Sequence, residues 1–324
     1  MHGGRLSQRP RDMVLDSRVG QAVLLAAALA PWAAASATEA RDEPTFKADV
    51  GVIHVSVSVS DSRNRFLKGL TQGDFALFED GIQQEVSFFS PTPLPLVISL
   101  LIDSSGSMTE KLATAQEAAS RFVASLSPSD VGQIVEFGDH VGTLQEFTSD
   151  QHALVAAVRR TRAAGGTCLY DALYVTLRQL LARGDREGAE RRAIVLLSDG
   201  EDTTSIATDQ QVLELARRSG IGIYAIGLLS DDPAERNRVA FGEATYFLTS
   251  IARDTGGEAH FPASLARLSG VYQRIAEDLR CQYSLGYVSN NTTRDGKWRR
   301  IQVRTPGRRD LAIRNKLGYY GPGG

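Results

Sequence analysis

Residues 96–108 read LVISLLIDSSGSM. The apolar run from Leu96 to Ile102 stops at Asp103, the next four positions are Ser, Ser, Gly and Ser, and a helical pattern begins beyond them. A short apolar run without alternation suits a strand buried on both faces, as in a parallel sheet. In such sheets ligands gather beyond the carboxyl ends of the strands. Asp103, Ser105 and Ser107 therefore fall where a site belongs, and each offers a hard oxygen suited to a cation such as Mg²⁺. The same residue types also serve as turn and helix-capping residues. The stretch by itself leaves those two readings level.

Outward from this strand the chain alternates. A helix carries Leu112, Ala115, Ala119, Phe122 and Leu126 on one face. Strands are expected at 131–137 and 141–147, and a helix around 154–158. The glycine-rich Gly165-Gly166-Thr167 opens another helix, with Leu169, Leu173, Leu177 and Leu180 as its apolar stripe. A second apolar strand, 193–197, ends in Ser198-Asp199-Gly200. Further helices are expected at 212–219, 247–254 and 265–279, strands at 221–228 and 259–261, and an exposed loop at 231–238. Strands alternating with helices predict an α/β fold with a doubly wound, mostly parallel sheet.

The flanks differ. Ile53, Val55, Val57 and Val59 alternate with polar residues. The segments 75–78 and 86–89 read as a hairpin around Asp80-Gly81. Three prolines within 91–95 mark a boundary. After Cys281, Tyr283, Leu285 and Tyr287 alternate, then Ile301 and Val303, then Leu311 and Ile313, before Gly318-Tyr319-Tyr320. Neither flank has enough apolar residues for its own core. The reading is one small β-sandwich formed by residues 46–91 and 281–320, with an α/β domain at 94–279 inserted between them. Removing one flank should leave the other's apolar face uncovered.

Thr167 and Asp199 both fall on the rim that carries Asp103, if the sheet is doubly wound. Asp-x-Ser-x-Ser, the threonine of GGTCLYDAL and the aspartate of LLSDGED together resemble the von Willebrand factor A (VWA) domain, in the version with a complete metal-ion-dependent adhesion site. The flanks, LTQGDFALFEDG and YSLGY…RNKLGYYGP, resemble exported bacterial proteins carrying that module. The resemblance implies a Rossmann-like fold and a metal held by Asp103, Ser105, Ser107, Thr167 and Asp199. It implies Mg²⁺, with Mn²⁺ as a substitute, and a protein partner offering an Asp or Glu carboxylate. Cys168 stands where a small apolar residue is more usual. Without a cation, Asp103 and Asp199 are expected to repel each other, so that replacing either leaves the metal-free fold no less stable.

Other features are discounted. Asp171 reads as a helix-start residue or as a neighbour supporting the ligands. Glu201 and Asp202 read as solvated acids. None of the five His has metal-ligand spacing or lies near the three loops in sequence. A nucleophile elbow, a His-Glu-x-x-His pair and a lysine-bearing phosphate loop are all missing from the sequence. A non-enzymatic, metal-dependent adhesion or assembly module is therefore preferred. The alternatives are a metal-dependent hydrolase and a structural envelope-assembly factor.

The chain has 324 residues, 42% hydrophobic and 23% charged, with a formal net charge of −2, which excludes a general nucleic-acid binder. Residues 281–324 hold nine Lys or Arg against two acids, read as a solvated strand face. Residues 1–37 read as a signal peptide: Arg5, Arg9, Arg11 and Arg18, a short apolar run at 19–30, then Ala35-Ser36-Ala37. The expected location is periplasmic or secreted to the cell surface, with no transmembrane segment in the mature chain. Cys168 and Cys281 are too few for a disulfide framework. They are expected at opposite ends of the fold and unpaired.

Overall fold

The computed structural model describes residues 51–92, 94–184, 190–199, 202–228 and 242–323. The expected signal peptide and the loop at 231–238 lie outside them. The α/β part is built on β5 (Leu96–Asp103), every residue of which is buried. Its side chains alternate between two cores. Leu96, Ile98, Leu100 and Ile102 face one, and Val97 and Leu101 face the other. β6 (Val131–Phe137) lies parallel on one side and β8 (Arg191–Ser198) on the other. Beyond β8 follow β9 (Gly222–Gly227) and the short β10 (Ala259–His260), both parallel. The other edge is β7 (Val141–Thr148), antiparallel to β6. The order β10-β9-β8-β5-β6-β7 makes the β5/β8 boundary the switch point, where the connections leave in opposite directions.

The helices follow from amphipathic spacing. α1 (Leu112–Ala124), α2 (Gln151–Val158) and α6 (Leu268–Cys281) bury their apolar stripes on the first core. α3 (Leu169–Ala182), α4 (Asp209–Ser219) and α5 (Glu243–Thr255) cover the second. Leu126 lies past the end of α1 because the chain leaves the helix at Ser125. Among the described residues no helix is long and apolar enough to cross a membrane.

Both flanks do contribute to two small sheets around one core. β1 (Ile53–Ser60) pairs with β11 (Tyr283–Tyr287) and β13 (Ala312–Arg314). β2 (Ala76–Glu79) pairs with β3 (Ile82–Gln84) and β12 (Trp298–Arg304). Val55, Val57, Val59, Leu77, Leu285, Tyr287, Ile301 and Val303 share that core. The expected hairpin is corrected. Asp80 and Gly81, at φ 48° and 85°, form a two-residue turn that pairs β2 at once with 82–84. β4 (Val86–Ser90) then crosses to β11 in the other sheet. Gly318-Tyr319-Tyr320 is itself a strand, β14 (Gly318–Tyr320), against β12.

Buried charges join insert and flanks. Asp278 of α6 is 1% exposed and accepts from Ser58 of β1 at 2.5 Å, Tyr224 of β9 at 2.8 Å and the Arg314 guanidinium of β13. Within the sandwich, Glu79 accepts from the Tyr287, Tyr319 and Ser289 hydroxyls at 2.7, 2.9 and 2.6 Å, with Arg299 at 3.7 Å. The basic C-terminal strands are therefore not simply a solvated face: Arg299 is buried and Arg314 is paired inward. Asp278→Ala leaves two hydroxyls without their acceptor and Arg314 with only Glu258 at 3.4 Å and the Gly256 carbonyl at 2.8 Å. Urea unfolding should show a loss of about 3–5 kcal/mol. A loss below about 1 kcal/mol would mean that the seam holds by apolar packing alone.

Candidate metal centre

Asp103 ends β5 with no exposed surface. Its Oδ1 accepts the Ser105 N–H at 2.9 Å and its Oδ2 accepts the Ser198 hydroxyl at 2.6 Å. Ser105 heads a single tight turn, Gly106–Met108, that reverses the chain toward α1. This turn brings Ser105 Oγ and Ser107 Oγ to 3.0 Å, and Ser107 Oγ donates to Asp199 Oδ1 at 2.8 Å. The second oxygen of Asp199 accepts from the Lys111 ammonium. Four of the five expected donors are thus linked across the β5/β8 boundary: Asp103, Ser105, Ser107 and Asp199.

Thr167 is 5% exposed, and its loop is tied to both others through the backbone. The Ala164 N–H donates to Ser104 O at 2.8 Å, and the Gly106 N–H to Gly165 O at 2.9 Å. The Thr167 N–H donates to Thr203 Oγ1 at 2.9 Å, while the Thr203 and Thr204 N–H groups donate to Thr167 O. The Thr167 hydroxyl joins none of these bonds. Gly165 has φ 75°, and a Cβ there would lie 2.0 Å from the Asp139 carboxylate. That carboxylate accepts the Gly166 N–H at 2.6 Å, so only glycine fits.

Burial pushes the Asp103 carboxyl above its ordinary range, and the nearby Asp199 charge adds to this, while hydrogen bonds from Ser105 and Ser198 pull the other way. A negative charge held there is costly unless a cation answers it. Among the described residues no three His, Cys, Asp or Glu side chains converge on one point. A metal at this rim would therefore rest on two carboxylates helped by hydroxyls. The donor set fits such an ion: all oxygen, from separate loops. The Lys111 ammonium on Asp199 is already a stand-in cation.

Lys111 also revises one expectation. Asp199 is not a bare like charge opposing Asp103, because it holds an ion pair with its side chain 1% exposed. Removing it would strand Lys111, so Asp103 and Asp199 are not equivalent in the metal-free fold. Sequence reading missed Ser198, Lys111, Asp139 and Thr203. The available signals were the four-residue step from Ser107 to Lys111 and the Gly-Asp-His turn after β6. Asp171 lies in the first turn of α3, but its carboxylate caps another segment, accepting the Ile206 and Ala207 N–H groups of the loop before α4 at 3.0 and 2.8 Å. Asp202 is not a solvated acid: it accepts the Tyr170 N–H at 3.1 Å and the Ser205 hydroxyl at 2.5 Å. Glu201 lies outside the described residues. His140 is distant from the three loops in sequence yet follows Asp139 on the same rim, exposed to solvent.

An oxygen-lined rim at the switch point of a doubly wound sheet defines a class of α/β ligand-binding domain. Residues 98–255 match the family model of the von Willebrand factor type A domain and have that domain's Rossmann-like α/β fold. Over 227 residues the chain is 25% identical to a UPF0353 protein of Mycobacterium leprae, covering 64% of this chain and 65% of that one. It is also 25% identical over 222 residues to inter-alpha-trypsin inhibitor heavy chain H4 of Bos taurus, covering 63% and 23%. Among solved structures it is similar to a von Willebrand factor type A protein from Catenulispora acidiphila. There the identity is 14%, the coverage 77% and 74%, and the TM-score 0.48. The chain thus spans less than two thirds of the length of these curated relatives.

Both cysteines are free thiols. Cys168, beside Thr167, is 2% exposed and its thiol is pushed up to about 11, chiefly by burial. Cys281 is half-buried. A thiol reagent applied to the native protein should label Cys281 well before Cys168. Equal rates would mean that the Thr167 loop opens readily.

Proposed function

We propose that this is an exported binding module that grips a protein partner through a divalent cation held by Asp103, Ser105, Ser107, Thr167 and Asp199. The observation that carries this reading is the hydrogen-bonded run Ser105–Ser107–Asp199 beside the buried Asp103 carboxylate. It gathers hard oxygen atoms from two strand ends at the position where doubly wound sheets bind ligands. Mg²⁺ is the proposed ion, with Mn²⁺ as a substitute.

When bound, such an ion supplies a Lewis-acid contact for an Asp or Glu carboxylate of the partner. The chain's own residues set the terms. Ser198 and the Ser105 N–H fix both oxygens of Asp103. Ser107 fixes one oxygen of Asp199, and the other must be released by Lys111 before it can serve as a ligand. The Thr167 loop is held in register by Asp139 and Thr203. A hydrolase would need a base aimed at a water on this rim. His140 is the nearest candidate along the β6–β7 turn, and its ring makes no hydrogen bond to any of the donors. Adhesion or assembly is therefore preferred to catalysis. Export rests on the signal-like residues 1–37.

Isothermal calorimetry with Mg²⁺ should give one site per chain. Asp103→Ala should abolish it, whereas Lys111→Met should tighten it by roughly tenfold, or about 1.4 kcal/mol, by removing the competing ammonium. An isotherm unchanged by Asp103→Ala would place any metal elsewhere. Capture of a partner from an envelope extract should require Mg²⁺ and fail in EDTA. Retention by a folded Asp103→Ala protein would move recognition away from this rim.

A further inference from the structure

At the end of the sheet opposite the metal rim lies a cavity of about 460 Å³ between the α/β domain and the flanking strands. Its walls come from the start of β8, the C-terminal end of α4, the C-terminal turn of α5, β1 and the segment before β14. Five basic side chains line it, Arg191, Arg192, Arg217, Arg218 and Lys316, with Glu190 as the one carboxylate among the lining residues.

The charges are not all answered. Arg217 is paired with Asp254 at 2.6 Å, and Arg218 with Glu214 at 2.9 Å. Arg191 donates only to neutral acceptors: Leu94 O, Leu279 O and the Gln282 side-chain oxygen. The Lys316 ammonium has no hydrogen bond or ion pair among the described residues, although the Lys316 carbonyl accepts from the Asn315 side chain at 2.6 Å. Burial alone pulls its ammonium down to about 8, and burial is also what lowers Arg191. Near pH 7 Lys316 still carries its proton, so the cavity holds two cations without a carboxylate counter-ion.

A purely structural role for Lys316 is the rival account. Its ammonium lies 3.9 Å from where a Cβ on Gly220 would stand, and Gly220 caps α4 in the left-handed conformation. Carbonyls at a helix C-terminus attract cations. Among the described residues no carbonyl there accepts a Lys316 side-chain proton, however, and burial lowers the ammonium with no opposing charge. Lys316 is half-buried and its ammonium lines the cavity with no partner among the described residues, so an anion that supplies the opposite charge there is favoured.

We propose that this cavity binds a small oxyanion, a carboxylate or phosphate group, that pairs with Lys316 and approaches Arg191. Its volume suits a small molecule rather than a protein segment. The polar groups around it include the Tyr319 and Tyr320 rings and Ser284, whose buried hydroxyl has no partner among the described residues. The proposal is independent of the metal reading, because neither Asp103 nor Asp199 touches the cavity.

The test is thermal melting of the full chain in EDTA at constant ionic strength. Inorganic phosphate and succinate serve as separate probes and chloride as the control. The expected result is a saturable rise in Tm with phosphate or succinate and none with chloride, the two arms deciding which chemistry is preferred. Lys316→Met should weaken the response at least tenfold while leaving the anion-free Tm equal or higher. Lys316→Arg should restore the response. If Lys316 instead serves α4 alone, Lys316→Met lowers the anion-free Tm and leaves any anion response unchanged, and the proposal fails. It also fails if chloride matches both probes. Should Lys316→Met not fold, reductive methylation of the wild type decides the matter. Protection of Lys316 by the probe supports the site, and unaltered labelling overturns it.

Discussion

The complete burial of β5 constrains everything else. With apolar side chains on both faces and parallel partners on both edges, the strand can touch solvent only at its ends. Any polar residue in its length must find a partner inside, as Ser99 does with Gln133 at 2.8 Å. Asp103 is where the strand can first afford a charge, and even there the carboxylate has no exposed surface. Two hydrogen bonds hold it, one from its own turn and one from β8. The direction of the chain after Asp103, the closeness of Ser198, and the placement of Asp199 one residue further all follow from that parallel pairing. The same pairing makes the rim a place where separate loops must meet.

The flanks obey a different constraint. Their sheets are small, and each is completed by strands from both ends of the chain. The sandwich takes strands from both sides of the insert, and α6 leads directly into β11, which pairs with β1. Asp278, near the end of α6, bonds at once to a strand of each flank and to the insert's own sheet. Removing one partner from such a buried network costs more than the network contributes relative to apolar packing. That asymmetry favours one relative placement of the parts over many.

Fold class was legible because apolar runs and helical stripes alternate without ambiguity from 96 to 279. Pairing in the flanks was less so. Residues 86–90, with Phe88 and Phe89 adjacent, carry no clean alternation, and only the tertiary partner Tyr283–Tyr287 decides which sheet they join. β14 is three residues long, too short for a periodic signal. At the rim, the Asp-x-Ser-x-Ser turn announced itself by breaking an apolar strand. Asp202 and Arg299 look like solvated charges in sequence, and their burial depends on loops and strands far along the chain. Lys111 was hidden for a similar reason. A lysine at the start of a helix is ordinarily a solvated charge, and its partner Asp199 is 88 residues away.

Lys111 changes the electrostatics of the proposed site in a way the five oxygen donors alone do not reveal. Two carboxylates and a divalent ion would leave a neutral rim, with little long-range pull on a partner's acid. The ammonium adds one positive charge. Before the cation arrives, it offsets half of the carboxylate charge and occupies one oxygen of Asp199. Afterwards, displaced from Asp199 yet tethered at the start of α1, it would leave the rim with a net positive charge. Its side chain is 24% exposed, so solvent screens the charge only in part. An incoming carboxylate then meets an excess of positive charge at short range, although stripping its water offsets much of the gain. The residue that opposes metal binding would in this way favour the partner that binds afterwards.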